Sequence, residues 1–168
     1  MDREVELREF VAARGAALSR AAYLLTGNHQ AAEDLVQDTY VVMVRRWQKS
    51  GALDPEAYVR RILYSRFVDT WRRHRVREFP AAAPPDAQGG DEAGATTDRM
   101  TLQGALGRLT PKQRAVLVLR FYEDLTESQT AAALGTSPNT IKSQTRVALQ
   151  RLRELLPEAA ASFEGVES

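Results

Sequence analysis

Apolar residues recur at the helical spacing of three or four along most of the chain, and turn residues divide them into segments. Gly27 ends the first segment, Asn28 can cap the second, and Asp54 caps the third with proline at its first position. A loop over Gln48 to Asp54, broken by Gly51, precedes the third segment. The three predicted helices run over residues 5–25, about 31–47, and Pro55 to about Arg77.

These helices are expected to bury one face and expose the other. The apolar set of the first helix is Val5, Leu7, Phe10, Val11, Leu18, Ala21, Ala22 and Leu25. The apolar set of the second is Leu35, Tyr40, Val41, Val44 and Trp47. The outer face of the second helix carries Glu33, Asp34, Gln37 and Asp38. Taken alone, such an acidic patch is most simply interpreted as a solubilising surface.

Residues 79–97 interrupt this pattern with three prolines, three glycines and many small residues, and they offer nothing to bury. Such a composition is typical of a flexible linker. The sequence therefore predicts an all-α chain of two small helical domains. The predicted divisions are a first domain over 1–78, a linker over 79–97, a second domain over 98–157 and a tail over 158–168.

Four helices are predicted in the second domain. The first of them, over about 98–107, follows Asp98 and is expected to direct Met100, Leu102, Leu106 and Leu109 inward. Thr110 and Gln113 then form a capping box, with Pro111 at the first position of a helix that reaches Tyr122. The apolar residues of that helix are Val116, Leu117, Leu119 and Phe121.

A tight turn joins the last two helices. Thr126 and Gln129 make a second capping box, and Gly135 ends the helix because glycine takes the left-handed conformation without steric cost. Ser137 and Pro138 then start another helix. This order of helix, glycine turn and helix is typical of a helix-turn-helix DNA-binding unit.

The final helix has an apolar face and a polar face. Its apolar face, which we expect to be buried, is formed by Ile141, Ala148, Leu149, Leu152 and Leu156. The polar face, near the N-terminal end, carries Asn139, Lys142, Ser143 and Arg146. Lysine and arginine suit guanine or phosphate, and asparagine suits adenine, so this end is a candidate reader of the major groove. An ordinary solvated surface helix would show the same pattern.

Composition excludes several classes of site. The chain contains no cysteine and only two histidines, His29 and His74, which excludes thiolate metal sites and disulfides and argues against a histidine-based metal centre. No apolar run approaches the roughly 18 residues of a membrane span, and the charged N-terminus is unlike a signal peptide. The sequence therefore predicts a cytoplasmic protein with no cofactor and no membrane contact of its own.

The net charge of +1 conceals a local excess of positive charge. Residues 60–77 contain seven arginines and one acidic residue, a density suited to binding polyanions. Aromatic side chains are interleaved with the arginines at positions Tyr58, Tyr64, Phe67 and Trp71. Most of them are expected in the core, and one or two at the rim could stack on unpaired bases.

The chain resembles the extracytoplasmic-function group of bacterial RNA polymerase sigma factors. AAEDLVQDTYVVMVRRW resembles the region-two helix that docks on the polymerase clamp, and PEAYVRRILYSRFVDTWRRHR is similar to the promoter-melting helix. LTPKQRAVLVLRFYEDLTESQTAAALGTSPNTIKSQTRVALQRLRELL is similar to region four over its whole length. The resemblance covers about residues 20–77 and 98–156, and it extends to the SigE-like subfamily of actinobacteria.

The resemblance implies roles for individual residues. The polymerase-docking positions are matched by Asp34, Gln37 and Asp38. Lys49 to Asp54 match the loop that accepts a base flipped out of the minus-ten promoter element. The strand-binding positions of the melting helix are matched by Arg61, Arg66, Arg72 and Arg73. Ser65 stands where the family commonly has an asparagine facing the flipped base, so the base read there is an open question. Readers of the minus-thirty-five element are matched by Lys142, Ser143 and Arg146, with Asn139 and Thr140 as phosphate contacts.

The function implied by the resemblance is that of a promoter-specificity subunit and not of an enzyme. Its partners would be core RNA polymerase, through clamp and flap, promoter DNA, and an anti-sigma factor that hides the docking and DNA-reading surfaces. Without the resemblance, the residues leave two other classes of protein as alternatives. A dimeric transcription factor would use the same helix-turn-helix on two half-sites. An enzyme acting on nucleic acid would need an acid–base or metal constellation, and the dispersed acids and histidines do not suggest one.

Overall fold

The computed structural model describes residues 2–50, 54–78 and 101–157, and the regular structure within those ranges is helical throughout. The all-α prediction is therefore confirmed. In chain order the elements are α1 (Arg3–Thr26), α2 (His29–Ser50), α3 (Pro55–Glu78), α4 (Leu102–Arg108), α5 (Pro111–Leu117), a π-helical turn (Val118–Tyr122), α6 (Glu127–Leu134) and α7 (Pro138–Leu155).

Local hydrogen bonds fix the helix ends that the sequence predicts. Thr110 Oγ1 accepts from the Gln113 amide at 3.2 Å, and the Gln113 side chain accepts from the Thr110 amide at 3.1 Å. Thr126 and Gln129 form the same reciprocal pair, at 3.1 and 2.9 Å. Ser137 Oγ accepts from the Thr140 amide at 3.2 Å and so starts α7. Both capping boxes and the cap of the last helix are confirmed.

Two predicted boundaries differ from the structure. The second helix continues to Ser50, two residues beyond the start of the predicted loop, and residues 51–53 of that loop lie outside the described residues. In the second domain, Thr101 caps α4 by accepting from the Gly104 amide at 3.0 Å, so the helix begins later than predicted. Asp98 and Met100, which the prediction included, lie outside the described residues.

Five residues predicted to face the core are exposed instead: Val5, Val41, Val44, Leu102 and Phe121. Val5 and Leu102 lie in the first turns of their helices. Phe121 lies in the π-helical turn, where the Glu123 amide bonds to the Val118 carbonyl five residues back. This wider turn changes which side chains face inward, so Val118 is buried and Phe121 is 37% exposed.

The helices of both predicted domains contribute to one apolar cluster. The part from α1, α2 and α3 includes Leu25, Met43, Leu63 and Phe67, and α5 and its continuation add Ala115, Val118 and Leu119. A second cluster joins α4 and α5 to α7 through Leu106, Leu109, Leu117, Leu149 and Leu152. Helices α5 and α6 pack on α3, and α4 packs on α1. The second domain is therefore held against the first along a continuous apolar surface.

Two kinds of site are absent from the part of the chain that the structure describes. No helix there is long and apolar enough to cross a membrane. No group of three or more histidine, aspartate or glutamate side chains there is arranged to hold a metal ion.

The turn at Gly135 provides a test of the helix-turn-helix geometry. Gly135 has φ 66°, in the left-handed region, and a Cβ added there would contact nothing within 4 Å. Gly135→Ala should therefore lower the free energy of unfolding by about 1–2 kcal/mol through backbone strain alone, measured by urea denaturation. Gly15→Ala is the control: Gly15 lies inside α1, where alanine is the better helix former, so its effect should be neutral or stabilising. Equal destabilisation by both changes would contradict this account.

Candidate protein and nucleic-acid interfaces

One exposed face of α2 combines acidic, amide and apolar side chains. At about 100° per residue, Val41 and Val44 project from the same side of the helix as Asp34 and Gln37, away from the buried Met43. The two valines are 47% and 48% exposed. The prediction that they face the core is wrong, and their position adds two apolar side chains to the exposed face that carries Asp34 and Gln37. Asp38 is exposed beside this face.

A hydrogen bond within α2 helps to position the side chains of this face. Gln30 Nε2 donates to Asp34 Oδ1 at 3.0 Å, one helical turn away, which holds that carboxylate on the surface. Large apolar side chains that remain exposed next to charged ones are typical of surfaces that bind another protein. The angle of each valine around the helix axis indicates that it shares a face with Asp34 and Gln37. A spacing of three or four residues does not by itself distinguish that face from the core face.

The exposed arginines of α3 form two rows. Arg61 and Arg72 are eleven residues apart, about three turns, and Arg66 and Arg73 are seven apart, about two turns. All four are exposed, whereas Ser65, which lies between the rows, is half-buried. The two rows lie about 120° apart around the helix. Their four exposed positive charges suit the phosphate backbone of a nucleic acid.

The structure describes some, but not all, of the other residues predicted to contribute to this DNA-binding surface. Lys49 is exposed near the C-terminal end of α2, and Asp54 caps α3 by accepting from the Ala57 amide at 3.2 Å. Arg60 is not available for DNA, because it pairs with Glu123 at 2.9 Å and with Glu56 at 3.5 Å. The side chains of residues 74–78 lie outside those that the structure describes.

The aromatic residues of α3 divide into core and rim. Tyr64 and Phe67 are buried, and burial raises the pKa of the Tyr64 hydroxyl well above its usual value. Tyr58 and Trp71 are half-buried at the rim. The Trp71 ring lies against Phe67, with ring centroids 6.3 Å apart. Of these four aromatic residues, only Tyr58 and Trp71 are placed where they could stack on unpaired bases, and that stacking stays a prediction.

The polar face of α7 is presented by a firmly packed helix. Ile141 is fully buried against Val116 and Ala131, which fixes the rotation of α7 on α5 and α6. That rotation exposes the predicted reading residues Asn139, Lys142, Ser143 and Arg146. Thr140 is half-buried, and its Oγ1 lies 2.9 Å from Ser137 Oγ at the helix start.

The sequence matches two family descriptions in the same order. "Sigma-70 region 2" matches residues 10–77, and "Sigma-70, region 4" matches residues 105–154. The RNA polymerase sigma-E factor of Streptomyces avermitilis is 39% identical over 155 residues, which cover 90% of this chain and 86% of that protein. A second relative, 31% identical over 152 residues, is an ECF RNA polymerase sigma factor. The chain belongs to the extracytoplasmic-function sigma factors of the sigma-70 family.

Further relatives agree with this membership. The ECF RNA polymerase sigma factor SigL of Mycobacterium tuberculosis is 31% identical over 152 residues, covering 85% of this sigma factor and 84% of SigL. The sigma factor RpoE of Bartonella quintana, solved in complex with the anti-sigma factor NepR, superposes with a TM-score of 0.67 at 27% identity. That superposition covers 89% of this chain and 96% of RpoE.

In this sigma factor the region-two match comprises most of α1, all of α2 and nearly all of α3, and the region-four match contains α5, α6 and nearly all of α7. The candidate protein-binding face on α2 and the arginine rows on α3 fall in region two. The exposed face of α7 falls in region four. No local sequence pattern indicates the contacts between the two regions, because they join residues that are far apart in the chain: Arg114 and Trp71 are 43 positions apart, and Arg60 and Glu123 are 63 apart.

The exposed position of Val41 and Val44 can be tested by stability. Val41→Ser and Val44→Ser should each change the free energy of unfolding by no more than about 0.5 kcal/mol, because neither side chain fills the core. Met43→Ala, between them, should cost about 2–5 kcal/mol because Met43 is fully buried. Urea denaturation measures both. If either serine variant lowered the free energy of unfolding by about 2 kcal/mol or more, as core truncations do, that valine would have to be a core residue.

Proposed function

We propose that this sigma factor binds core RNA polymerase and directs transcription initiation at specific promoters. Region four reads the minus-thirty-five element through α7, and region two opens the minus-ten element through α3. The observation that carries the proposal is the coexistence of two exposed cationic surfaces, on α3 and on α7, with an exposed acidic and apolar face on α2. DNA suits the first two surfaces, and a protein suits the third.

The α2 face is the proposed contact with the polymerase clamp. Asp34 and Asp38 supply negative charge for a basic partner surface, and Gln37 adds hydrogen-bonding capacity. Val41 and Val44 supply the apolar area that a protein interface needs at its centre. Complementary charge steers the encounter, and the apolar area contributes affinity. The flap would hold region four in the same assembly.

Duplex reading is assigned to the N-terminal half of α7. The major groove is wide enough to admit one helix. The exposed face of α7 carries Lys142, Ser143 and Arg146. Arg146 can form two hydrogen bonds to guanine or bind phosphate. Asn139 and Thr140, at the helix start, are assigned to the phosphate backbone, where helix N-termini favour anions.

Strand opening is assigned to α3 and requires no catalytic residue. Arg61, Arg66, Arg72 and Arg73 bind the backbone of one strand, and Ser65 faces a flipped base. Lys49, near the end of α2, is assigned to the same minus-ten element. Binding that prefers unstacked DNA shifts the duplex equilibrium toward the open form. The shorter Ser65 side chain offers one hydroxyl where an amide is common, so its base preference differs from that of an asparagine site.

Each surface is modest alone, and joint binding provides specificity. We assign polymerase docking and minus-ten opening to residues 1–78, minus-thirty-five reading to 98–157, and tethering to 79–97, with the tail over 158–168. When polymerase holds both DNA-binding units, the second contact becomes intramolecular and its effective concentration rises. Either unit by itself should bind weakly and lose affinity steeply with salt.

The proposed setting is the cytoplasm, where polymerase and promoter meet. A further proposed partner is an anti-sigma factor, by similarity to RpoE of Bartonella quintana, which was solved with the anti-sigma factor NepR. Run-off transcription with purified core polymerase on genomic fragments tests the whole proposal. Initiation at defined start sites would support it. A symmetric footprint made by the chain alone, without polymerase-dependent initiation, would favour a dimeric repressor or activator instead.

Replacing the proposed base-reading arginine should impair promoter recognition. Arg146→Ala should reduce transcription from a cognate promoter about tenfold or more, as expected for loss of a bidentate contact, with little change in affinity for core polymerase. Arg151→Ala is the control, because Arg151 is exposed on the same helix outside the proposed reading end. Equal losses for both variants would point to a general charge effect and not to base reading.

Reversing a charge on the α2 face should impair binding to core polymerase and leave DNA binding unchanged. Asp38→Arg should weaken binding to core polymerase about tenfold, because it opposes a basic partner surface, and should leave the affinity of the free chain for promoter duplex unchanged. Glu9→Arg makes the same change of charge at an exposed position of α1. Fluorescence anisotropy with labelled chain measures both affinities. Normal polymerase binding by Asp38→Arg would remove the α2 face from the proposal.

A further inference from the structure

The exposed side of α7 carries one large apolar side chain. Among the residues that the structure describes on this helix, Val147 alone combines a large apolar side chain with an exposed position, at 51%. The exposed residues around it are polar or charged: Ser143, Arg146, Gln150 and Arg151. A single exposed valine is ordinary on a protein surface. This one matters because of its position relative to the proposed reading residues.

Val147 lies on the face of α7 that points away from the rest of the protein. At about 100° per residue, it is about 120° around the helix from the buried Ile141 and about 140° from the buried Leu152. Only about 40° separates it from Ser143, one turn earlier. Burial of Ile141 against α5 and α6 fixes the rotation of α7. A ligand that covers Ser143 therefore covers Val147 as well.

Helix stability does not account for a valine at this position. A β-branched side chain loses rotamer freedom in a helix, so valine is a weaker helix former than alanine. With half of its surface in water, Val147 gains only part of the stabilisation that full burial would provide. Its apolar surface is therefore available to whatever covers this face of α7.

In the proposed function, the major groove of the promoter covers this face. Base edges in that groove present hydrogen-bond donors and acceptors, and their one methyl group is that of thymine. Valine cannot pair with a donor or an acceptor, and a polar group buried without a partner costs free energy. A thymine methyl group against valine is favourable, because both apolar groups leave water. The chemistry of this side chain therefore favours thymine over the other three bases.

The spacing along α7 places this contact relative to the others. Val147 is four residues beyond Ser143, which is about 6 Å along the helix axis. Base pairs are stacked about 3.4 Å apart. A helix that follows the groove would therefore bring Val147 to a base pair about two steps from the one nearest Ser143. Arg146 is about 100° around the helix from Val147, so the two side chains address different groups.

We propose that Val147 is a specificity-determining residue of region four, which selects thymine at one position of the minus-thirty-five element by contact with its 5-methyl group. The proposal rests on the proposed function, because it takes α7 to be the helix that reads the duplex. It adds the identity of one base and the chemical group that is recognised on it. The promoters of this sigma factor should accordingly hold an A·T pair at one fixed position of that element.

Replacing thymine by deoxyuridine removes only the methyl group and so tests this contact directly. The probe is a promoter duplex identified by run-off transcription, with each thymine of the minus-thirty-five element replaced in turn, and the complex of the sigma factor with core polymerase binds it. We expect about fourfold weaker binding for replacement of one thymine, as for removal of one buried methyl group. Val147→Ala should lose this sensitivity, as a thermodynamic cycle requires of two groups in contact. Val147→Ile, which keeps the branched apolar side chain, should retain it.

Two controls separate the base contact from folding and from the loss of a valine as such. Alanine is the better helix former, so Val147→Ala should not lower the free energy of unfolding. Val5→Ala makes the same change at a position of α1 that is 41% exposed, and it should keep the fourfold sensitivity. The proposal is overturned if no thymine of the element is sensitive to loss of its methyl group, or if Val147→Ala remains as sensitive as wild type.

The proposed function can fail separately from this contact. Absence of polymerase-dependent initiation would contradict the proposed function. The same replacement of thymines is then made in a duplex that the free chain selects from a library of randomised sequences. Sensitivity to one methyl group that is lost in Val147→Ala would still support the base contact. Selection of no sequence, or of one without that sensitivity, would overturn the base contact as well.

Discussion

The carbonyl groups at the end of α1 impose the constraint on which the arrangement of the molecule depends. The Tyr23 carbonyl accepts from the Gly27 amide that follows α1, at 2.8 Å, and also from Gln103. The carbonyls of Leu24 and Leu25 accept from Gln103 and Arg114, in the other half of the chain. The same guanidinium lies against two rings of α3, so one side chain links the end of one helix to the side of another. Apolar contacts supply most of the stabilisation of such a boundary, but they are not directional. The hydrogen bonds select one relative orientation of the two regions.

Arginine serves two distinct purposes in this protein. In the rows on α3, four guanidinium groups are exposed and well suited to phosphate. In the boundary between regions, Arg60 is half-buried and bonded to a carboxylate, and Arg114 is buried against carbonyls and rings. The difference is one of environment, because the residue type and its charge are the same. A count of arginines along α3 therefore overstates the positive charge that is available to DNA.

The α2 face shows how a protein-binding surface can be obscured by helical periodicity. Val41 and Val44 fit the spacing of a core helix, yet they share a face with Asp34 and Gln37. A helix that packs on only one side leaves the opposite side to solvent or to a partner. Apolar residues on that opposite side lower solubility slightly unless they bind something. Their position is consistent with a surface that is covered in an assembly.

The sequence by itself determined the features that depend on neighbours along the chain. The capping boxes at Thr110 and Thr126, the left-handed turn at Gly135 and the start of α7 at Ser137 follow from hydrogen bonds over three residues and from one backbone dihedral. Family membership followed from longer stretches of sequence in regions two and four and from their order. Only the tertiary structure decided that Val41 and Phe121 are exposed, that Arg60 is paired, and that Arg114 is buried at the boundary. Burial and long-range pairing depend on helices that are far apart in sequence, and no local pattern contains that information.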